Sequence, residues 1–277
     1  MEDLMDFNAI SHIFNRALAL TFTKKKLLLV FCILAMSGVL IVFFRGVSLH
    51  AGRWVQLSLT FLPIFICTGI LLSAGILLIR IYHDEVKNYE VNYWNILSKS
   101  WEVMIGASYF AIPIILSYLL LWILLGVFVL LQEIPVIGEV FGLILSFAPF
   151  LINLGTLILC VLSLLVLFFV APVIALRGIE KGAVFHLTVK RLEQNPFNNI
   201  FLIIMSLLPL IFILGLLLLS TWMTGTIFVE CQKPIYTILK WFFIMLPFVA
   251  FLTPAVIFFF NFAAEAHVLM QKQKDLS

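Results

Sequence analysis

Apolar residues in this chain come in long unbroken runs, and the polar residues gather between them. Six runs stand out, at 27–44, 54–79, 108–131, 150–171, 199–220 and 241–264. Each approaches the roughly 20 residues that a helix needs to cross a hydrocarbon core about 30 Å thick. Only helices and closed barrels satisfy every backbone group in lipid, and runs of this length suit helices. The pattern therefore predicts an all-α fold: a polytopic transmembrane helical bundle of about six spans, forming one integral membrane domain over 1–277. The fourth run needs a further argument. No charge occurs from Val140 to Leu176, and a continuous helix over that stretch would be roughly 55 Å long at 1.5 Å per residue. Two full spans need roughly 40 residues plus a turn, so a second hairpin does not fit. A short segment from Val140 to Ala148, a helix break at Pro149 and then a single span is the reading that does. Proline lacks the backbone donor and crowds the preceding turn.

The polar stretches are themselves patterned. In "GAVFHLTVKRLEQNPFNNI", residues 182–200, Phe185, Val189 and Leu192 share one face of a helix, while His186, Lys190 and Glu193 share the opposite one. The same layout recurs in "YWNILSKSWEV", with Trp94, Leu97 and Trp101 against Asn95, Lys99 and Glu102. It recurs again in "DFNAISHIFNRAL", with Phe7, Ile10 and Phe14 against Asn8, His12 and Asn15. Aromatic residues on one face and basic residues on the other suit the membrane interface. Near an anionic leaflet each Lys or Arg adds about 1 kcal/mol of attraction. These segments are predicted to be cytoplasmic amphipathic interfacial helices, anchored by Phe7, Phe14, Trp94, Lys99, Trp101, Phe185, Lys190, Arg191 and Leu192. Each precedes a pair of spans, and each return span carries a proline, in "LPIF" (Pro63), "APFL" (Pro149) and "LPFV" (Pro247). The repeat this suggests is threefold, with units 6–80, 93–177 and 184–267. The competing explanation is that any helix leading into a bilayer is amphipathic there.

Charge orients the bundle. Arg16, Lys24, Lys25, Lys26, Arg80, Lys87, Lys99, Arg177, Lys181, Lys190, Arg191, Lys272 and Lys274 all fall on one side of a six-span arrangement. Only Arg45, Arg53, Lys233 and Lys240 fall on the other. The positive-inside rule then places both termini in the cytoplasm. Trp54, Trp222 and Trp241 sit at outer span ends and Trp94 and Trp101 on the inner side, as an aromatic belt requires. Composition agrees, with 64% hydrophobic and 11% charged residues, against about 25% charged in soluble domains. The run from Leu27 to Phe44 is too long for the apolar core of a signal peptide and is read as a retained first span. A bacterial cytoplasmic (inner) membrane is the expected location.

Pro172 at a span's end, Gly182 and Ala183 in a short polar run, an amphipathic helix and then "NPFNN" before another span form a further arrangement. It resembles a loose group of uncharacterised prokaryotic six-helix membrane proteins, related to the membrane domain attached to some glycerophosphodiester phosphodiesterases. The resemblance implies a membrane-domain fold. These residues hold no counterpart of the catalytic domain, so no active-site residue is carried over.

Candidate chemistry is sparse. Cys32, Cys67 and Cys160 lie inside apolar runs, Cys231 falls in a polar loop, and no C-x-x-C pair occurs, so buried structural thiols are expected. "YHDEV" (His83, Asp84, Glu85) is the densest polar cluster, but adjacent residues on a helix point apart, and a solvated interfacial loop is the expected reading. His12, His83, His186 and His267 map to the inner side. Within the spans the polar candidates reduce to Asn153 and Asn261, taken as candidate cavity residues, and Glu265 near the inner end of the sixth. Gly138 and Gly142 have small-x-x-x-small spacing. No G-x-S-x-G, P-loop or dinucleotide pattern is present. The expectation is a non-enzymatic integral membrane protein without cofactor or metal that organises the bilayer or a membrane complex. Its expected partners are membrane lipids and other membrane proteins, not nucleic acid. The alternative is a transporter or permease for a hydrophobic or lipid-like substrate, with Pro149 breaking a helix beside its path.

Overall fold

The computed structural model describes residues 7–132, 134, 138, 142–143, 146–177, 184, 188, 196–225 and 234–276. Its helices are α1 (Phe7–Ala19), α2 (Lys24–Val47), α3 (Arg53–Val86), α4 (Tyr93–Ser108), α5 (Ile112–Gln132), α6 (Ala148–Arg177), α7 (Pro196–Met223) and α8 (Pro234–Leu276). A 3₁₀ turn at Tyr109–Ala111 carries α4 into α5. Among the described residues, six helical stretches are long and apolar enough to cross a membrane: Lys24–His50, Val55–Val86, Tyr93–Gln132, Ala148–Leu176, Pro196–Met223 and Pro234–Gln271. The chain is an all-α integral membrane bundle.

Proline sets several helix starts. Pro196 and Pro234 open α7 and α8, and Pro113 and Pro149 are the second residues of α5 and α6. In a first turn the missing N–H would have had no partner in any case, and the fixed φ already suits a helix. Pro149 therefore lies inside the first turn of a helix that begins at Ala148, after a turn at 146–147. The spans also run past the ends of the apolar runs. α3 continues to Val86 and α8 to Leu276, since Lys, Glu and Gln are good helix formers once the chain leaves the hydrocarbon.

α3 is the central element, packed by α2, α4, α5, α6 and α8. Its Leu72, Ile76, Leu78 and Ile79 are fully buried beside Phe168, Phe169, Ala171 and Val173 of α6 and Phe258, Phe260 and Phe262 of α8. The edge-to-face pair of Phe168 with Phe259 at 5.9 Å ties α6 to α8. Van der Waals fit matters here because apolar burial alone does not separate a helix partner from lipid. Gly75 shows that fit: a Cβ there would collide with the ring of Phe260, so the absent side chain is what lets α3 and α8 close. α2 runs antiparallel to α8, with Gly38 against Met245 near its middle and the Arg45 guanidinium 4.2 Å above the Trp241 ring at its far end.

α4 and α5 together run antiparallel to α3. Arg80 meets Ser100, Ser73 meets the Met104 carbonyl, Gly69 meets Ala111, and the Tyr118 hydroxyl donates to the Ser58 carbonyl at 2.7 Å. A small second core of Phe65, Ile114 and Tyr118 lies along this seam. α7 packs chiefly on α8 and leaves Ile204, Leu208, Ile211 and Phe212 exposed, as a lipid-facing helix should. The densest packing lies at the end that holds α1, the last turns of α3 and α6, and the last third of α8.

Candidate functional site at the basic end of the bundle

The amphipathic α1 docks by its apolar side. Ile10, Ile13 and Ala17, spaced at i, i+3 and i+7, are buried, and Phe14 stands edge-on to Phe258 at 4.9 Å and to Phe262 at 6.2 Å. His12 and Asn15, on the polar face, are exposed. The last carbonyls of a helix have no partner within it. That of Ala17 accepts from the Thr21 hydroxyl at 2.8 Å and from Asn261 Nδ2 at 3.3 Å, so α8 caps α1. The Asn261 side chain is fully buried, and its Oδ1 has no hydrogen-bond partner in the structure.

One turn further along α8, Glu265 accepts a 2.6 Å hydrogen bond from the Tyr82 hydroxyl of α3, and the Arg16 guanidinium of α1 lies 3.5 Å from the same oxygen. The ring of Tyr82 meets a second ion pair. Lys26, in the first turn of α2, is 0% exposed; its ammonium donates to Glu85 Oε2 at 2.6 Å and to the Leu20 carbonyl at 3.0 Å, and lies 5.7 Å from the Tyr82 ring centroid. A buried ammonium survives only when its donors are matched, and two hydrogen bonds and an aromatic face match these. The two pairs thus bind α1, α2, α3 and α8 through one tyrosine.

Arg80 forms a third bridge. Its Nε donates to the Ala175 carbonyl at 3.1 Å, near the C-terminus of α6, and Nη1 donates to Ser100 Oγ of α4 at 2.8 Å. The negative end of a helix dipole favours a cation there. Beside this bridge a cleft of about 230 Å³ opens between α3, α4 and α6, lined by Arg80, His83, Asp84, Ile96, Lys99, Ser100, Ala175 and Leu176.

Several sequence expectations find their places here. Trp94 and Trp101 are exposed on α4 at 79% and 57%, and Lys99 is exposed on another side of it. Phe14, equated with Trp101 in the repeat, is packed into the bundle, so the two positions have different surroundings. Phe7 opens α1, but its side chain lies outside the described residues, as do Phe185, Lys190, Arg191 and Leu192. Three readings are corrected. His83, Asp84 and Glu85 belong to α3 and not to a solvated loop, because Lys26 and the helix interior hold Glu85. Asn153 and Asn261 do not share a cavity. Asn153 is exposed in the second turn of α6, whereas Asn261 is buried near the level of Phe168, roughly 20 Å further along the bundle at 1.5 Å per residue. Cys32, expected to be buried, is exposed on α2.

Sequence reasoning singled out Glu265 but missed Tyr82, Lys26 and Arg80. The available signal was register: Lys26 and Val30 share a helix face one turn apart, and both are buried. Comparisons of the chain with protein-family models, with curated proteins and with solved structures returned no match.

Proposed function

We propose that this is a non-enzymatic membrane protein that organises the surrounding bilayer or a membrane complex, seated in a bacterial cytoplasmic membrane with its basic end and both termini inside. One observation carries the reading. Arg16, Lys26, Tyr82, Glu85 and Glu265 each join one helix to another, so the ionisable chemistry of the interior goes into holding shape. Transport pathways instead keep such groups available to a substrate or proton. The apolar faces of α5 and α7 provide the contact with lipid or with partner helices. Reconstitution into liposomes tests this: lipids near the protein should be motionally restricted in spin-label spectra, with no saturable solute uptake. Specific, saturable uptake would overturn it.

The alternative, a permease for a hydrophobic or lipid-like substrate, is favoured by α8. Pro247 and Pro254 lie inside that helix, where each removes a backbone hydrogen bond, and the open Asn261 acceptor follows two turns later. Saturable uptake of a lipid analogue that is lost on Asn261→Leu would favour this reading.

A further inference from the structure

Besides the bridging Arg80, the cleft between α3, α4 and α6 contains His83, Asp84 and Lys99, ionisable groups that the helix-joining network leaves unused. Arg80, His83 and Asp84 fall at i, i+3 and i+4 on α3, and Ile96, Lys99 and Ser100 repeat that spacing on the antiparallel α4. Two such triads on facing helices converge on one space, and the end of α6 closes a third side with Ala175 and Leu176. Arg80 is held rigidly by its bonds to Ala175 and Ser100 through Nε and Nη1, which leaves Nη2 free to donate. The side chains of Lys99, His83 and Asp84 make no hydrogen bond or ion pair in the structure. The cleft therefore offers a fixed guanidinium, an unpaired ammonium and an imidazole, together with one carboxylate. A purely anionic ligand would face Asp84 uncompensated. A purely cationic one would face Arg80 and Lys99.

We propose that the cleft binds a phosphate–ammonium zwitterion such as the headgroup of phosphatidylethanolamine. The phosphate is taken by Arg80 and Lys99, and the primary ammonium by Asp84. Arg80 supplies the planar donor geometry that suits phosphate oxygens. Ile96 and Leu176 line the same cleft and give the first acyl carbons an apolar contact beside the headgroup. This site does not depend on whether the protein organises a complex or transports a solute.

The test uses the full chain in vesicles of phosphatidylcholine containing equal amounts of phosphatidylethanolamine and phosphatidylglycerol. After mild detergent extraction, the lipids retained per protein are measured by mass spectrometry. Phosphatidylethanolamine should be retained in excess. Lys99→Gln should lower that retention about tenfold, the worth of one charge-assisted hydrogen bond. Asp84→Asn should instead invert the preference toward phosphatidylglycerol. Neither side chain has a structural partner, so both variants should fold with the wild-type helical circular dichroism. Arg80→Gln also removes two helix contacts, and its result counts only alongside those two. A parallel arm measures binding of soluble phosphoethanolamine by calorimetry. Binding in that arm, abolished by Asp84→Asn and without lipid retention, would identify a soluble ligand of the same chemistry. Equal retention of both lipids by the wild type, or a ratio unmoved by Asp84→Asn, with no phosphoethanolamine binding, would overturn the proposal.

Discussion

The residue of greatest consequence is Lys26, because it is sealed completely while its partner Glu85 retains 12% of its side-chain surface. The asymmetry decides which substitution hurts more. Glu85→Gln leaves an ammonium with no counter-charge and no route to water, and losing one partner of a buried pair costs about 3–5 kcal/mol. Lys26→Met removes the charge that cannot be hydrated and leaves a carboxylate that reaches the rim, so its cost should be smaller. The double variant Lys26→Met/Glu85→Gln should regain most of the loss, since a packed apolar pair is often as stable as a buried ion pair. Thermal unfolding in detergent, followed by circular dichroism, checks the order, and a Lys26→Met variant less stable than Glu85→Gln would contradict it. By contrast the Arg16–Glu265 contact is long at 3.5 Å and its arginine is 39% exposed, so it belongs with surface bridges worth about 0–1 kcal/mol. None of this ranking was readable from the lysine triplet at 24–26. Lys24, Lys25 and Lys26 are chemically identical, and only the direction in which each points from α2 separates the buried one from the exposed two.

Helix contacts turn on small residues at a few crossings. Replacing a helical glycine by alanine normally stabilises by about 0.5–1 kcal/mol through backbone entropy. At Gly215 of α7 nothing lies within 4 Å of the new Cβ, so Gly215→Ala should show that gain. At Gly75 the Cβ would strike the buried ring of Phe260. Overpacking costs about 1–3 kcal/mol, which exceeds the entropy gain, so Gly75→Ala should destabilise, and Phe260→Leu in the same chain should relieve it. Unfolding midpoints of the three variants provide the comparison. The spans themselves were legible as apolar runs. Their ends were not. Hydropathy marks where lipid begins and stops, whereas α3 and α8 continue as helices into the polar zone because their backbones and packing partners continue. α4 was expected from its amphipathic pattern, but its seam along α3 follows Ser100 and Ala107, small residues that the pattern of large apolar and charged positions passes over.

For the molecule as a whole, the described terminal helices meet: α1 packs on the last third of α8, and the Lys26–Glu85 pair joins the start of α2 to the end of α3 at the same level. An even number of crossings follows from that meeting without reference to charge. That this end faces the cytoplasm is our proposal, made from the positive-inside rule. Reporter fusions after Lys87 and Ser277 should read as cytoplasmic and a fusion after Cys231 as external. A cytoplasmic signal after Cys231 would break the arrangement.

Class, number of spans and the side toward which charge gathers were determined by the sequence alone, because each depends on quantities that add along the chain: apolar length against bilayer thickness, and the count of Lys and Arg in successive loops. The tertiary structure alone decided which polar residues matter. Tyr82 bridges Glu265 and the Lys26–Glu85 pair, and Arg80 ties α6 to α4, through contacts between residues far apart in sequence. Such contacts depend on the azimuth of each helix and on close approach at positions such as Gly75. In lipid, where apolar burial does not choose among helix partners, the fit between surfaces makes that choice.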